Sequence, residues 1–169
     1  MAQVTYTNLF SESRTNILNI LSDTSKLSDP TISSAEFRKW IYSREPDTKA
    51  NDFAGYPFII IHPAEVDIGD KGSVNGKSKP VSWNVEIEIV TSDRGYASRD
   101  GQGLSHMDTI SNSIFQNLLN VTNRNTLSGL SMKFSQPTTS SVTSEVINNE
   151  LVFRRSIFAP FRSRIQVSA

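Results

Sequence analysis

Residues 80–93 read PVSWNVEIEIVTSD, and their alternation decides the fold class. Val81, Trp83, Val85, Ile87 and Ile89 share one parity, with Ser82, Asn84, Glu86 and Glu88 between them. Successive strand side chains point to opposite faces, so the segment has one apolar and one polar face. That pattern predicts a half-buried strand of an antiparallel sheet covered on one side.

Working outward, Phe10, Ile17 and Leu21, widened by Leu18 and Ile20, predict a helix over 7–22. Ser33 and Glu36 fit a capping box for a short helix from Ala35 to about Ser43, carrying Phe37, Trp40 and Ile41. Tyr56 to Val66 reads as a strand that Pro57 and Pro63 push toward a sheet edge or a bulge. Residues 67–79 contain Asn75-Gly76 and predict a long hairpin connection. Leu104, Met107, Ile110, Ile114 and Leu118 predict the second long helix. Leu127 to Phe134 reads as a third strand, and Val146 to Val167 as a long fourth one with a bend or edge at Pro160. On this final strand Leu151, Phe153, Ile157, Ala159 and Phe161 share one parity, and Arg154, Arg162 and Arg164 the other.

The expectation is α+β: one domain, 1–169, with an antiparallel or mixed four-stranded sheet and helices packed on one face. Long loops are expected near 45–55, 67–79 and 93–103.

The totals limit function. Seventeen basic residues balance 17 acidic ones, removing a global drive toward nucleic acid or acidic membranes. The bias is local: residues 151–169 carry four arginines and no acid. With no cysteine, disulfides and thiolate metal sites are excluded. No apolar run approaches the roughly 20 residues of a membrane span, and the start MAQVTYTN lacks signal-peptide features. The chain therefore reads as made and kept in the cytosol, or as packaged from there into something larger, with no membrane partner.

Catalytic signatures are sparse. His62 with Glu65 and Asp67, and His106 with Asp108, are the groupings that could ligate metal, yet a hydrolytic site needs three converging ligands. The simpler reading puts His62 at a strand end and His106 in a solvated first helical turn. There is no G-x-S-x-G elbow, and residues 67–72 lack both a P-loop ending and EF-hand spacing. No enzyme activity and no cofactor are expected. Glu86 and Glu88 share a strand face that meets water or a partner, and Arg154, Arg155, Arg162 and Arg164 suit anions or cross-strand carboxylates.

The order of these segments resembles the tail terminator (tail-completion) proteins of long-tailed bacteriophages. The resemblance runs from Phe10 to Val167. It comprises an N-terminal helix, YPFIIIHPAEVDIGD, a turn-rich excursion, VSWNVEIEIVTSD, the helix LSHMDTISNSIFQNLL, and LVFRRSIFAPFRSRI. It implies a structural virion protein that forms a homohexameric ring at the head-proximal end of the tail tube. Such a ring stops tube polymerisation and joins the head connector. The implied partners are further copies of the chain, the tail tube protein, connector or neck proteins, and DNA passing through without specific binding. The implied location is the tail-neck region of the virion, after assembly in the host cytoplasm. Glu86, Glu88, Arg154, Arg162 and Arg164 are the candidate channel or subunit-interface residues. The alternatives are another head-to-tail joining or neck protein, or a small hydrolase or ligand-binding domain using His62 or His106.

Overall fold

The alternating segment forms β4 (Ser78–Ser92), which lies antiparallel to β8 (Glu150–Gln166). Their ladder runs without interruption from Ser78 opposite Gln166 to Ser92 opposite Val152. The computed structural model describes residues 6–32, 38–63, 65–68, 78–93, 101–128 and 132–166. Val81, Trp83, Val85, Ile87 and Ile89 are all buried, and the parity expected for this strand holds along its length.

Two helices cover that face, α1 (Tyr6–Leu21) and α2 (Gly103–Leu119). From α2, Met107, Ile110, Ile114 and Leu118 are buried, while Leu104 at its start is half exposed. Leu9, Ile17, Ile20 and Leu21 of α1 join the same core, but Leu18 faces out. Trp83 sits at the centre, stacked on Phe161 at 5.7 Å and meeting the edge of Phe10 at 5.2 Å. Its indole Nε1 donates to the buried Ser13 hydroxyl at 3.0 Å, so the ring buries its area without stranding its polar atom. At the N-terminus of α2, a Cβ on Gly103 would come within 2.8 Å of the Phe153 ring and of the Ser92 backbone.

On the other edge of β4 lie β2 (Phe58–Ile61) and β3 (Glu65–Ile68). Ile61 faces Ile87 but Glu65 faces Asn84, so four steps on this side span three on β4. This is a one-residue β-bulge, and Pro63, which has no N–H for the ladder, falls within it. The bulge switches parity: Ile59 and Ile61 are in register with Ile89 and Ile87, but Val66 and Ile68 with Trp83 and Val81. Both halves thereby offer apolar residues opposite the buried row.

The far edge of β8 is built in the same way. β5 (Lys133–Phe134), β6 (Thr138–Thr139) and β7 (Thr143–Ile147) follow one another along it, all antiparallel. Four steps again span three between Phe134 and Thr138, and again between Thr139 and Thr143. Ser135 N and Ser140 N bridge the gaps by donating to the carbonyls of Pro160 and Ser156. The described sheet thus has eight strands where four were expected, with β4 and β8 at its centre and outer margins broken by bulges.

Five further expectations need correction. Over the short helix predicted for 35–43, residues 35–37 lie outside the described residues, and the rest is non-helical, with Ile41–Tyr42 forming β1. The competing interaction is Arg38, whose buried guanidinium pairs with Asp29 and donates to the carbonyls of Gly55 and Pro57. The backbone beyond it is drawn into parallel pairing with β2, Ile41 opposite Ile59, which makes the sheet mixed. Strand β2 is consequently no edge, all four of its residues being buried; of the two roles expected of the prolines, the bulge is the one found, at Pro63. The third strand predicted from Leu127 is instead α3 (Val121–Ser128), with Leu127 buried in its last turn; only Lys133–Phe134 is strand, and Leu130 lies outside the described residues. Asn120 Oδ1 accepts from the amides of Thr122 and Asn123 and so caps α3. The fourth strand begins at Glu150 because the chain reverses at Asn148 and Asn149, whose φ of 49° and 64° match a type I′ hairpin turn. Val146 is therefore on β7, and Leu151, expected inward, is 38% exposed. Finally, the polar face is not uniformly wet. Tyr56, Phe58, Ile60, Val90 and Val152 form a second buried cluster there, capped by Tyr42, Phe53 and Ile147. The Asn75-Gly76 turn, residues 94–100 and Val167 lie outside the described residues. Among the described residues, no helix is long and apolar enough to cross a membrane.

Trp83→Ala should lower stability by about 3–5 kcal/mol in urea unfolding, from lost area and the cavity left behind. A loss under about 1 kcal/mol would mean that the ring does not hold the helix face to the sheet.

Candidate functional site

At one end of its length, the polar face of the β4–β8 ladder gathers a cluster of ionised groups. Arg154 projects from β8 and spends its whole guanidinium on carboxylates. Its Nη1 donates to Glu88 Oε1 at 2.8 Å, its Nε to Glu145 Oε1 at 2.7 Å, and its Nη2 to Glu45 Oε1 at 2.7 Å. The three acids come from β4, β7 and the loop after β1. Glu88 is shared further: its Oε2 lies 2.7 Å from His62 Nε2. Beside this cluster, the Ser156 hydroxyl donates to Glu86. The loop from Ser43 to Phe53 encloses a polar depression of about 430 Å³, lined by Tyr42, Arg44, Glu45, Asp47 and Phe53 among others.

The cross-strand register explains the convergence. Glu88 lies opposite Ser156 and Val90 opposite Arg154, so Glu88 and Arg154 are diagonal neighbours on one face. Glu145 lies opposite Val152, one strand-face step from Arg154. The side chains of Glu88 and Arg154 are 16% and 22% exposed, whereas Glu45 and Glu145 are more than half exposed. The Glu88–Arg154 contact is therefore the energetically dominant one, and the outer two are screened by water. Burial alone would raise the Glu88 carboxyl, but the hydrogen bonds and charges of Arg154 and His62 hold it below its ordinary range. Burial alone would likewise lower the Arg154 guanidinium; its carboxylate partners raise it instead.

Of the candidate residues, Glu86, Glu88 and Arg154 thus come together, with both glutamates half-buried and hydrogen-bonded. Arg162 and Arg164 stand apart, exposed near the other end of β8. Arg155 has the opposite parity and turns to the helix side, where Nη1 reaches Asp108 at 3.1 Å and Ser111 at 3.2 Å. His62 turns to Glu88, and the side chains of Glu65 and Asp67 lie outside the described residues. His106 is 6% exposed in α2, not a solvated first-turn residue, while Asp108 is exposed and bound to Arg155. Among the described residues no three His, Asp or Glu side chains are grouped as a metal site.

Sequence reasoning missed Glu45, Glu145 and the role of His62. The Asn148-Asn149 turn was a usable signal for Glu145, since it fixes which residues of β7 flank Arg154. Glu45 lies in an irregular loop, and no local pattern marks it.

No protein-family model matches the chain, and no curated protein matches it. Among solved structures, the chain is similar to one from the virion of a native gene transfer agent particle, with 13% identity and a TM-score of 0.48. The alignment spans 96% of this chain and 100% of that one.

Arg154→Ala should cost about 2–3 kcal/mol at neutral pH, because it leaves the half-buried Glu88 facing only His62. Glu145→Gln should change stability by no more than about 0.5 kcal/mol. A depressed carboxyl contributes stability that is full above its unfolded value of about 4.3 and is lost as pH falls through the folded one. The Arg154→Ala deficit should therefore shrink in unfolding measurements carried from neutral pH down through that window. An equal deficit at both ends would show that Arg154 acts by packing alone.

Proposed function

We propose that this chain is a tail-terminator-like structural protein of a virion. It forms a ring on the head-proximal end of a tail tube, stops tube growth and presents a surface to head connector or neck proteins. It does so as an assembly protein without catalytic chemistry or cofactor. The order of helix, bulged strand, long strand, helix and long strand supports the reading, as does the resemblance carried by residues 10–167.

The observation that carries it is the free margin at β7. Among the described residues, β8 is the sole strand partner of β7. Thr143, Ser144, Glu145 and Val146 are all exposed, Val146 at 72%, with Leu151 directly opposite it and also exposed. The remainder of that margin is interrupted by bulges, which discourage indefinite edge pairing. One short straight segment with an exposed aliphatic pair suits addition to another copy. A contact between different surfaces of identical copies closes into a ring when its rotation permits, and six is the number the resemblance implies. Glu86, Glu88 and Arg154 then fix the geometry of the hairpin bearing that edge, while Arg162 and Arg164 remain available at the other end of the same face.

Mass photometry with and without tail tubes tests this reading. A concentration-dependent passage from monomer to ring, with rings captured on tubes, is expected. Val146→Asp should abolish the ring while changing stability by about 0.5 kcal/mol or less, as an exposed substitution. A dimer persisting in both settings would overturn the ring, and undisturbed rings in Val146→Asp would remove β7 from its interface.

A further inference from the structure

The free end of the polar sheet face carries a cation cluster that the hub around Arg154 does not use. Lys133 of β5 lies directly opposite Arg162 of β8, and Arg164 follows two residues along the same face. All three are exposed, and among the described residues none takes part in an ion pair. Like charges directly opposite on paired strands are unfavourable. Nothing described on this face offsets the cost: Arg162 and Arg164 face Ser82 and Pro80 across β8 and β4. The acidic positions nearest in register, Asp67 opposite Ser82 and Glu65 opposite Asn84, belong to β3, two strands from β8 and about 10 Å away.

We infer that Lys133, Arg162 and Arg164 form a contact for the phosphate backbone of a nucleic-acid duplex. Arg162 and Arg164 are spaced roughly 6.6 Å along the strand and Lys133 lies about 4.8 Å across it, a compact group in which each cation is matched to one phosphate. The surroundings favour a phosphate backbone over a protein surface. Ser82 and Asn84 are exposed beside the cluster, and such side chains contact phosphate and sugar. A protein interface would instead centre on apolar anchors and be depleted in lysine. The contact reads no sequence, and with three charges it is weak and salt-sensitive. As a property of the chain it stands on this geometry alone; its biological source, DNA threading the particle, rests on the ring reading.

Fluorescence anisotropy of a short mixed-sequence DNA duplex, titrated with the full chain across a salt series, tests it. The plot of log affinity against log salt should have a slope of about −2.7, from three neutralised phosphates. Each single alanine substitution should reduce its magnitude by about 0.9, and the triple substitution should abolish binding. Lys133→Glu separates contact from fold: it places opposite charges across β5 and β8, so the melting temperature should hold or rise while duplex binding falls at least tenfold. Unchanged binding in the triple variant would overturn the inference. So would loss of self-association on mass photometry with no duplex affinity in the parent, which would assign the cluster to an acidic surface of another copy. Duplex binding by a chain that never forms rings would uphold this contact while removing the ring reading.

Discussion

The structure depends on one ladder. Fifteen consecutive residue pairs join β4 to β8, and every other element is placed by reference to it. Both long helices, α1 and α2, lie on the face defined by Val81, Trp83, Val85, Ile87 and Ile89, and every other strand except β1 pairs with β4 or β8. A slip of one residue between them would exchange the two faces and expose the whole buried row. The burial of Trp83 between α1 and Phe161, with its nitrogen bonded to Ser13, makes that register costly to change. Register is thus fixed by apolar burial on one face, and charge is arranged on the other as a consequence.

A ladder this long creates a second constraint, because its flanking strands must follow it through the twist natural to sheets. Both flanks do so by inserting one residue at intervals, once between β2 and β3 and twice between β5 and β7. Each insertion re-aims the next segment. That is how Ile61 and Val66, of opposite parity, both lie in register with buried positions of β4. It also leaves outer margins that are poor templates for continued pairing, with β7 the longest unbroken segment on its side.

The central ladder was legible in the sequence because burial on a single face imposes a period of two, and the period survives in PVSWNVEIEIVTSD and in most of residues 151–161. The long helices were legible for the corresponding reason, at a period of 3.6. What failed was read from short segments. Leu130, Met132 and Phe134 suggest alternation, yet Leu127, where that strand was expected to begin, closes a polar helix whose cap is a single asparagine, and buried Leu127 and Phe134 belong to different elements. Arg38 carried no warning that it would be buried. Its partners, Asp29 and the carbonyls of Gly55 and Pro57, are between 9 and 19 residues away, and no local rule couples them. The charged hub was half legible. Glu88 and Arg154 follow from strand parity, Glu145 follows only once the hairpin turn is recognised, and Glu45 requires the tertiary path of a loop.

The four arginines of β8 show how position assigns work to chemically identical groups. Arg155 has the parity of the core and is accommodated only because α2 offers Asp108 and Ser111 at the sheet–helix junction. Arg154, one residue away, points to the opposite face at the end where the second apolar cluster displaces water, and there a guanidinium requires carboxylates. It meets three of them from three different elements, so it serves as a staple joining β4, β7 and the loop after β1. Arg162 and Arg164 share its parity but lie beyond the reach of that cluster, where the face is open and water can solvate them. Solvation removes any need for an internal partner, and the chain supplies none among the described residues. The same strand therefore carries a cation fixed by the fold at one end and cations left for an external anion at the other. The division follows from where apolar cover on the polar face begins and ends.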